Sequence, residues 1–598
     1  MNDDSKSIEE AISRSERIGT IGSPSSTAGL SLDIMGTAVN KKLLGELAFF
    51  EFYQDGMPHY SLGQITEVIL RNIWLEDPTI RSLARQKGIV NPVSGQQDTH
   101  LGQMTISSVF SNKNGEFAPS ILGTVPPTGT YIHLATDELL NKLLERYKNE
   151  VFYLGHVYGS IPKLPLWFKD FSTGPQGVGE AYHIGIFGKT GSGKSVLAKM
   201  ILLAYARYKD MGIFVLDPQG EFALSLKNER KTEDMKYILD QETLAQLQKK
   251  CEIYDLNKLK LSGYVIFVEL LREYKFFFEL GIKDSEYQEV MADYVIDFLK
   301  GDKNIKLEDL SNKNVFIKTL NYMSGKPIER VYAGKSGIDR VKGVIEETLQ
   351  RVSNGIEDRL LEKWLKVSQF FQGNDRKTPE QIVWQSLYPD ERPLIVIDLS
   401  QKPSDVEQDI WDRKIKPLLI DSFLEAITRM AEFVYHKKEQ EHRESDLNTL
   451  VLIDEAHRLA PREKSENERL ERIKSRLIDA VRTTRKYGLG WMFISQTLSS
   501  LDKEIVEQLR IMFFGFGLAL GTEFQSLREL VGGDPNALKL YQSFRDPASS
   551  FSIETREYSF MTIGPVSPLS FAGTPLFFTA FNKPEYFLNA NSLVIKKE

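Results

Sequence analysis

After His183 the chain alternates apolar runs of four to six residues with segments whose apolar residues repeat at helical spacing. Apolar runs of this length are typical of parallel strands buried on both faces, and the segments between them are typical of crossover helices. The pattern therefore predicts an α/β fold with a mainly parallel sheet. The predicted strands are Ile184–Phe187, Ile213–Leu216, Leu394–Ile397, Thr449–Ile453, Trp491–Ile494 and Ile511–Phe514.

A different pattern precedes this region. Between about Leu30 and Gly174, short runs rich in β-branched and aromatic residues are separated by Gly, Pro, Asn and Asp, which favour turns. This pattern predicts a small antiparallel β-barrel, interrupted by one helix at Asp137–Lys148. The predicted strands are Leu43–Phe52, Gln64–Trp74, Met104–Phe110, Ile121–Ala135 and Val151–Tyr158.

These changes in pattern divide the chain into segments. Residues 1–29 are rich in Ser, Gly, Thr and charge, and are predicted to form a flexible N-terminal arm. Residues 30–174 are predicted to form the barrel. Residues 223–391 are charged and Leu-rich with a helical period, and are predicted to form a helical insertion. The α/β core then comprises residues 175–222 and 392–598, including a C-terminal segment.

The composition narrows the class of protein. The length of 598 residues exceeds what one hydrophobic core normally serves, which agrees with several structural units. The 75 basic and 82 acidic side chains give a net charge of −7, so any contact with nucleic acid must be local. The single cysteine, Cys251, excludes an intramolecular disulfide and fits a cytoplasmic protein. No secretory signal is visible, and no apolar run approaches the roughly 20 residues that span a bilayer, so we expect no membrane contact.

The residues after the first core strand are predicted to bind phosphate. They fit the pattern G-x-x-x-x-G-K-[ST] between a predicted strand and a predicted helix, although a Gly-rich turn with a solvated lysine is the alternative. Glycines let backbone N–H groups turn toward phosphate oxygens, Lys194 reaches the β- and γ-phosphates, and Ser195 offers a hydroxyl to Mg²⁺. The loop comprises Gly188, Lys189, Thr190, Gly191, Ser192, Gly193, Lys194 and Ser195.

Polar residues at other strand ends complete the predicted site. Asp454 and Glu455 follow the fourth core strand; Asp454 is placed to hold Mg²⁺, and Glu455 to polarise the water that attacks the γ-phosphate. This pair predicts hydrolysis of the nucleotide, unless it is only a solvated acidic pair. Glu221 and Gln496 follow two other core strands, whose carboxyl ends line the same crevice. Glu221 can reach the same water or the metal, with a simple turn as the alternative, and Gln496 can contact the γ-phosphate.

One arginine is predicted to complete the site. Arg485 ends a predicted helix just before the strand Trp491–Ile494, and we expect it over a phosphate of its own subunit or of a neighbouring one. Too few residues remain after Glu455 for a second nucleotide-binding core in the same chain. A motor with one core per chain can use an arginine from an adjacent subunit, and a ring closes such head-to-tail contacts.

Together these motifs resemble the HerA branch of the HerA–FtsK motor ATPases. The resemblance covers nearly the whole chain beyond the arm, including residues 121–129, the strand and phosphate loop, residues 217–222, residues 485–488 and Ser495-Gln496. It implies a RecA-like P-loop core, an N-terminal barrel of the HerA–ATP-synthase type, and a homo-hexameric ring that moves double-stranded DNA using ATP and Mg²⁺. Members commonly work with a nuclease such as NurA, or with sirtuin-like, NAD-consuming or other effectors in anti-phage defence.

The sequence departs from that family at one point. Related motors tend to follow the glutamine with Arg-Pro, whereas this chain has Thr497 and Leu498, so the contact of that arginine is lost or supplied elsewhere. Because the net charge is acidic, a DNA channel must concentrate basic side chains. The candidates are Arg462, Lys464, Arg469 and Arg472.

Three functions remain open from the sequence. The first is an ATP-driven DNA translocase that works with a nuclease or a defence effector. The second is an ATP-regulated scaffold ring that assembles and activates an effector enzyme. The third is a protein-export or conjugation motor, which the lack of a membrane segment and the presence of the barrel disfavour. The barrel is predicted to dock the effector, with clamping of the ring as the alternative.

Overall fold

A computed structural model describes most of the chain, namely residues 3–87, 97–113, 115–174, 177–227, 234–402, 408, 411–441, 447–532, 535–552, 555–571 and 573–593. The described part contains two β-sheets, and helices cover the second of them.

The first sheet is a small barrel near the N-terminus. Its strands are β1 (Arg17–Ile21), β2 (Gly29–Ile34), β3 (Leu47–Gln54), β4 (Met57–Arg71), β5 (Thr99–Lys113), β6 (Glu116–Ser120) and β7 (Tyr131–Leu134). The order is β2-β1-β7-β3-β4-β5-β6, and β2 also pairs with β5, which closes a ring of six strands with β6 outside it. Its interior is apolar, with Leu30, Phe50 and Ile132 fully buried. The predicted antiparallel barrel is confirmed.

The second sheet contains the predicted parallel core. Its strands are β8 (Val151–Val157), β9 (Lys163–Trp167), β10 (Ile184–Phe187), β11 (Gly212–Asp217), β12 (Cys251–Tyr254), β13 (Leu394–Asp398), β14 (Thr449–Ile453), β15 (Leu489–Ser495), β16 (Ile511–Gly515), β17 (Tyr558–Ile563) and β18 (Leu576–Ala580). The order is β12-β13-β11-β14-β15-β10-β16-β17-β18-β8-β9. Strands from β12 to β16 in this order are parallel. The four strands after β16 extend the sheet in antiparallel fashion. The predicted α/β class is confirmed.

Side chains of the parallel strands alternate between two hydrophobic cores, one on each face of the sheet. Along β14, Leu450 and Leu452 belong to one core, whereas Val451 and Ile453 belong to the other. Alternation of this kind follows from the two-residue period of a strand, and burial of both faces explains the continuous apolar runs in the sequence. Because the strands run in the same direction, their carboxyl ends share one edge, which is where the predicted site residues follow them.

Helices connect the strands. The described α-helices are Asp3–Arg14, Ile73–Glu76, Pro78–Lys87, Asp137–Leu143, Lys194–Ala206, Glu221–Lys227, Gln241–Gln246, Tyr264–Glu273, Phe276–Glu279, Ser285–Gly301, Lys313–Met323, Lys326–Val331, Lys335–Ser353, Arg359–Ser368, Pro379–Leu387, Lys416–Glu441, Glu468–Thr483, Lys503–Gln508, Gly521–Leu530, Pro535–Gln542 and Pro584–Ala590. Many of them lie between β11 and β13, in the segment predicted as a helical insertion, which also contributes β12 to the sheet.

Two expectations about the N-terminal part are wrong. The arm predicted to be flexible contains the helix Asp3–Arg14, with Ile8 and Ala11 buried, and the barrel strand β1. The run at 151–158, predicted as a barrel strand, is instead β8, which pairs with β18 in the second sheet. Both differences arise because the partner of a short strand lies far away in the sequence, and local pattern carries no information about it.

The barrel and the core are joined by paired hydrogen bonds. The buried amide of Gln64 in β4 donates from Nε2 to the carbonyl of Phe577 in β18 at 3.1 Å, and its Oε1 accepts from the Phe577 N–H at 2.8 Å. The side-chain amide of Gln64 thus pairs with the backbone of Phe577 in the way a neighbouring strand would. These two bonds hold the barrel against the antiparallel end of the core.

Candidate active site

The loop predicted to bind phosphate connects β10 to the helix Lys194–Ala206. Gly193, just before the helix, has φ = 88°, in the left-handed region that favours glycine. A Cβ at this position would lie 2.7 Å from Cδ1 of Tyr558 at the start of β17. The N–H of Lys189 donates to the carbonyl of Phe516 at 2.9 Å, which ties the loop to the end of β16. Backbone conformation and packing therefore both require glycine at the helix start.

The loop holds polar groups ready for an anion. The Lys194 ammonium is largely buried and donates to the carbonyl of Lys189 at 3.1 Å. Burial lowers the pKa of Lys194, while the carboxylates of Glu455, Asp454 and Glu221 act in the opposite direction. Within the described part of the chain, the buried hydroxyl of Ser192 lacks a hydrogen-bond partner. A phosphate group in the loop would accept hydrogen bonds from the Lys194 ammonium and from the Ser192 hydroxyl.

The carboxylate pair lies at the end of β14, next to this loop. Burial, together with the charges of Glu221 and Asp217, raises the pKa of Asp454 to about 7. Glu455 has φ = 52°, and its backbone N–H donates to Oδ1 of Asp454 at 2.9 Å. A cation beside Asp454 would relieve the repulsion among these carboxylates. The arrangement therefore fits Mg²⁺, with Asp454 and the half-buried Ser195 as the residues that would hold it.

Gln496 connects the carboxylate pair to the phosphate loop. Its Nε2 donates to Oε1 of Glu455 at 2.9 Å, and its Oε1 accepts from the Thr190 hydroxyl at 3.2 Å. The other oxygen of Glu455 lies 3.4 Å from Nε2 of His457 and 3.4 Å from Nε of Arg458. The structure thus brings together Glu455, Gln496 and the loop, as the sequence predicted.

Two residues near this site were not singled out from the sequence. Asp217 ends β11 and accepts hydrogen bonds from the amides of residues 220–223, so it fixes the turn that carries Glu221. Burial raises the pKa of Asp217 to about 6. Lys199, on the helix that follows the loop, is fully buried and donates to the carbonyl of Lys236 at 2.7 Å. Burial lowers the pKa of Lys199 to about 8, although the negative charges of Glu221, Asp217 and Asp454 act to raise it.

Glu221 itself lies near the site at its predicted position. It begins the helix Glu221–Lys227, is half-buried, and acts by its charge on the pKa values of both Asp454 and Lys194. The turn predicted as the alternative is also present, since Asp217 organises it. The turn is thus present, and the role of Glu221 toward the attacking water or the metal stays a prediction.

Arg485 does not reach the phosphate loop of its own chain. It lies in the 3₁₀ turn Thr484–Tyr487 before β15, whereas Gln496 follows β15. The seven residues of β15 separate the two edges of the sheet by about 20 Å. Its guanidinium instead pairs with Glu180, with Nη2 at 2.8 Å from Oε2. Arg485 was predicted to lie over a phosphate of its own subunit or of a neighbouring one. The placement within its own subunit is wrong, because residues that precede a parallel strand lie at the sheet edge opposite the phosphate loop.

The predicted channel arginines are partly committed to other contacts. Arg469 pairs with Glu269 at 2.7 Å, and Arg472 pairs with Asp421 at 3.0 Å, so both tie their helix to neighbouring helices. Arg462 and Lys464 are exposed. After Gln496, the Glu523 carboxylate accepts hydrogen bonds from the amides of Leu498 and Ser499, which fixes the loop at the point where the sequence departs from the family it resembles.

None of the helices in the described ranges is long and apolar enough to cross a membrane.

Comparison with known proteins supports the interpretation of the site. Residues 181–416 match the family model described as "Helicase HerA, central domain". This segment begins just before β10 and contains the phosphate loop, Asp217 and Glu221. No curated protein sequence matches the chain.

Three solved structures are similar at low identity. VirB4 of Thermoanaerobacter pseudethanolicus is 14% identical with a TM-score of 0.36, over 73% of this chain and 97% of that chain. The bacterial conjugative coupling protein TrwB is 15% identical with a TM-score of 0.35, over 75% and 92%. The genome packaging NTPase B204 from Sulfolobus turreted icosahedral virus 2, in complex with AMP, is 9% identical with a TM-score of 0.26, over 67% and 98%.

Because these TM-scores are low, the assignment rests on the family model and on the site. The matched segment supplies the phosphate loop, and the strands that follow it supply Glu455 and Gln496 at the same sheet edge. Residues 181–416 therefore resemble the central domain of HerA, and this segment carries the phosphate loop of the P-loop ATPase site.

Proposed function

We propose that this protein is the subunit of a homo-hexameric ring that hydrolyses ATP to move along double-stranded DNA and works with a partner effector. The observation that carries the proposal is the contact of Gln496 with both Glu455 and Thr190, which couples a carboxylate able to activate water to the phosphate loop. A site that only bound nucleotide would have no need for this connection.

The residues of the site have distinct tasks in hydrolysis. Backbone amides of the loop and Lys194 bind the phosphates, and Ser195 and Asp454 would hold Mg²⁺, which supplies positive charge to the phosphates when bound. Glu455 accepts the proton of the attacking water while the bond from the γ-phosphorus to the leaving ADP breaks. Gln496 orients Glu455 through its Nε2 and senses the loop through Thr190. Glu221 keeps the site negative near the metal position.

A ring is proposed because one chain does not complete the site. In the described part of the chain, Arg485 lies at the opposite edge of the sheet from the phosphate loop. An arginine that acts on developing negative charge must lie near the γ-phosphate. Head-to-tail packing of identical subunits brings the edge of one subunit to the phosphate loop of the next, and closed rotation gives a ring.

The barrel supplies a surface for the effector. The part of β4 that follows Gln64 and the helix after it expose apolar side chains: Val68, Ile69, Leu70, Ile73 and Trp74. A contiguous patch of exposed apolar side chains on a protein surface often marks an interaction site. We propose that this surface docks a nuclease of the NurA type, or a sirtuin-like, NAD-consuming or other defence effector.

A scaffold ring is the second candidate, because one observation favours it. Two of the four arginine and lysine candidates for DNA contact, Arg469 and Arg472, are already paired with carboxylates, and the chain has a net charge of −7. In that case ATP would control assembly of the effector, and movement of DNA would be absent.

One set of measurements separates the two candidates. Native mass measurement of the wild type with ATP and Mg²⁺ should give a hexamer. Duplex DNA should stimulate its ATP hydrolysis, and DNA affinity should fall steeply between 50 and 200 mM salt, by about 10³-fold or more if several phosphates are contacted. The double variant Arg462→Ala and Lys464→Ala should lose much of this stimulation but keep basal hydrolysis. A hexamer whose hydrolysis ignores DNA supports the scaffold; a monomer with full activity overturns both.

A further inference from the structure

Three neighbouring strands of the core begin beside one another, at the edge opposite the phosphate loop. In the sheet, β10 lies between β15 and β16, and all three are parallel. The residues just before these strands are Arg485, Glu180 and Arg510. The backbone fixes their positions, since the N–H of Ala181 donates to the carbonyl of Arg485 at 3.1 Å and the N–H of Arg510 donates to the carbonyl of His183 at 2.9 Å.

The side chains of these residues form one cluster. Arg485 contacts one oxygen of the Glu180 carboxylate at 2.8 Å, and Arg510 contacts the other oxygen. The Arg510 guanidinium also lies over the ring of Tyr182, with Cζ 4.7 Å from the centroid. Glu180 therefore places two guanidiniums side by side and holds both in defined orientations.

The cluster has more positive charge than its own carboxylate can balance. Two guanidiniums share one carboxylate, and both arginines are substantially exposed, at 46% and 43% of their side-chain surface. His183, buried beside them, adds no charge at neutral pH because burial lowers its pKa to about 4. A pair of planar guanidinium forks is well suited to a phosphate chain with several oxygens.

The phosphates of its own subunit are out of reach of this cluster. The strand β10, which joins Glu180 and Tyr182 to the phosphate loop, has four residues and spans about 13 Å. A phosphate bound by this cluster would therefore belong to another molecule, and in a head-to-tail ring that molecule is the next subunit with its bound nucleotide.

We infer that Arg510 is a second trans-acting arginine, which acts together with Arg485 on the nucleotide phosphates of the neighbouring subunit. Glu180 is the positioning residue that presents the two guanidiniums as a pair. The inference rests on the ring of the proposed function and adds a residue to its active site. Arg510 touches substrate only across the subunit interface.

The first test compares single substitutions by steady-state ATP hydrolysis. Removing one of two arginines that share the developing charge should lower kcat by about 10- to 100-fold in Arg510→Ala, while the KM for ATP changes less. Arg510→Lys keeps the charge but loses the fork, so its kcat should be intermediate. The control is Arg429→Ala, because Arg429 is an exposed arginine in a surface ion pair with Glu425, and its kcat should change less than about twofold.

The second test asks whether Arg510 acts across an interface. Subunits with Arg510→Ala keep an intact Glu455, whereas subunits with Glu455→Gln keep an intact Arg510. In mixed rings, Arg510 of a Glu455→Gln subunit faces the intact Glu455 of an Arg510→Ala neighbour. Hydrolysis by the mixture should therefore exceed the sum of the two separate activities, and mixing with Arg510→Ala, Glu455→Gln double-variant subunits should give no such gain.

The outcomes distinguish this inference from the proposed function. Wild type that forms a hexamer and hydrolyses ATP, together with Arg510→Ala of undiminished kcat, overturns the inference and leaves the proposed function intact. If Arg510→Ala has a lower kcat and mixing does not raise its activity, the inference is also overturned, because the arginine then acts within its own subunit or on folding. Wild type that is monomeric overturns the ring and with it both proposals.

Discussion

Replacing Gln496 by alanine tests the connection between Glu455 and the phosphate loop. The change removes the bond from Nε2 to Glu455 at 2.9 Å and the bond from the Thr190 hydroxyl at 3.2 Å. The first is a hydrogen bond to a charged group at a carboxylate that is only 8% exposed, and such bonds are worth about 1.5–3 kcal/mol. If that energy orients Glu455 for proton transfer, its loss should lower kcat by about 10- to 150-fold.

The assay for this variant measures hydrolysis and binding separately. Steady-state hydrolysis gives kcat and KM, and titration with a non-hydrolysable ATP analogue gives the dissociation constant. Binding should change less than about threefold, since the loop and Lys194 remain. Thr190→Val removes only the second bond and should have a smaller effect. The control Gln525→Ala changes an exposed glutamine that lies away from the phosphate loop and donates to Oε1 of Glu529 at 3.5 Å. A Gln496→Ala variant with undiminished kcat would show that Gln496 does not orient Glu455.

Three further predictions concern single residues of the chain. Asp454→Asn should abolish hydrolysis, yet it should stabilise the folded protein in the absence of nucleotide and Mg²⁺. The pKa of Asp454 in the folded protein is about 7, above the ordinary 3.8, so ionisation of this carboxyl destabilises the wild type as the pH rises from about 4 to about 7. In thermal unfolding at pH 8, the variant should therefore be more stable than the wild type by about 2–4 kcal/mol. An unfolding difference that does not grow with pH contradicts this. Gly193→Ala combines a φ of 88° with a Cβ 2.7 Å from Tyr558, so nucleotide binding measured by titration should fall at least tenfold, a loss of about 1.4 kcal/mol; unchanged binding refutes the packing argument. Arg485→Ala should keep the hexamer and ATP binding but lose about 10³-fold or more in kcat, and full activity would exclude it from any active site.

The central strands could be predicted because their cause is local. Each of the six predicted core strands is a continuous apolar run, and burial of both sheet faces demands such a run wherever the strand pairs. The phosphate loop was equally predictable, because its glycines, lysine and serine are consecutive and its neighbours are a strand and a helix. Gln496 and Glu455 could be placed at one edge because parallel strands share it.

The missed features depend on distant parts of the chain. The strand β1 in the supposed arm and the strand β8 outside the barrel owe their positions to partners far along the sequence. Lys199 looks like an exposed position of an amphipathic helix, but its helix is covered on nearly every side, so the lysine is buried. The acceptor for Lys199, the carbonyl of Lys236, lies 37 residues away and has no sequence signal.

The position of Arg485 shows that nearness in the sequence alone does not predict where a residue lies in the sheet. Its place just before β15 led us to expect it over a phosphate of its own or a neighbouring subunit, yet the direction of the strand puts Arg485 and Gln496 at opposite edges of the sheet. Strand direction is itself predictable for a parallel sheet, so this placement was available from the sequence once the direction of each strand was considered.

The most direct test of the account is hydrolysis of ATP by the wild type and by Glu455→Gln, measured beside nucleotide binding. Only the oxygen that accepts the proton is replaced, and the amide keeps nearly the same shape, so the variant should bind ATP as tightly as the wild type. We expect Mg²⁺-dependent hydrolysis by the wild type and a loss of at least about 100-fold in kcat in the variant. Equal hydrolysis by the two proteins would contradict the assignment of Glu455 and, with it, the mechanism built on this site.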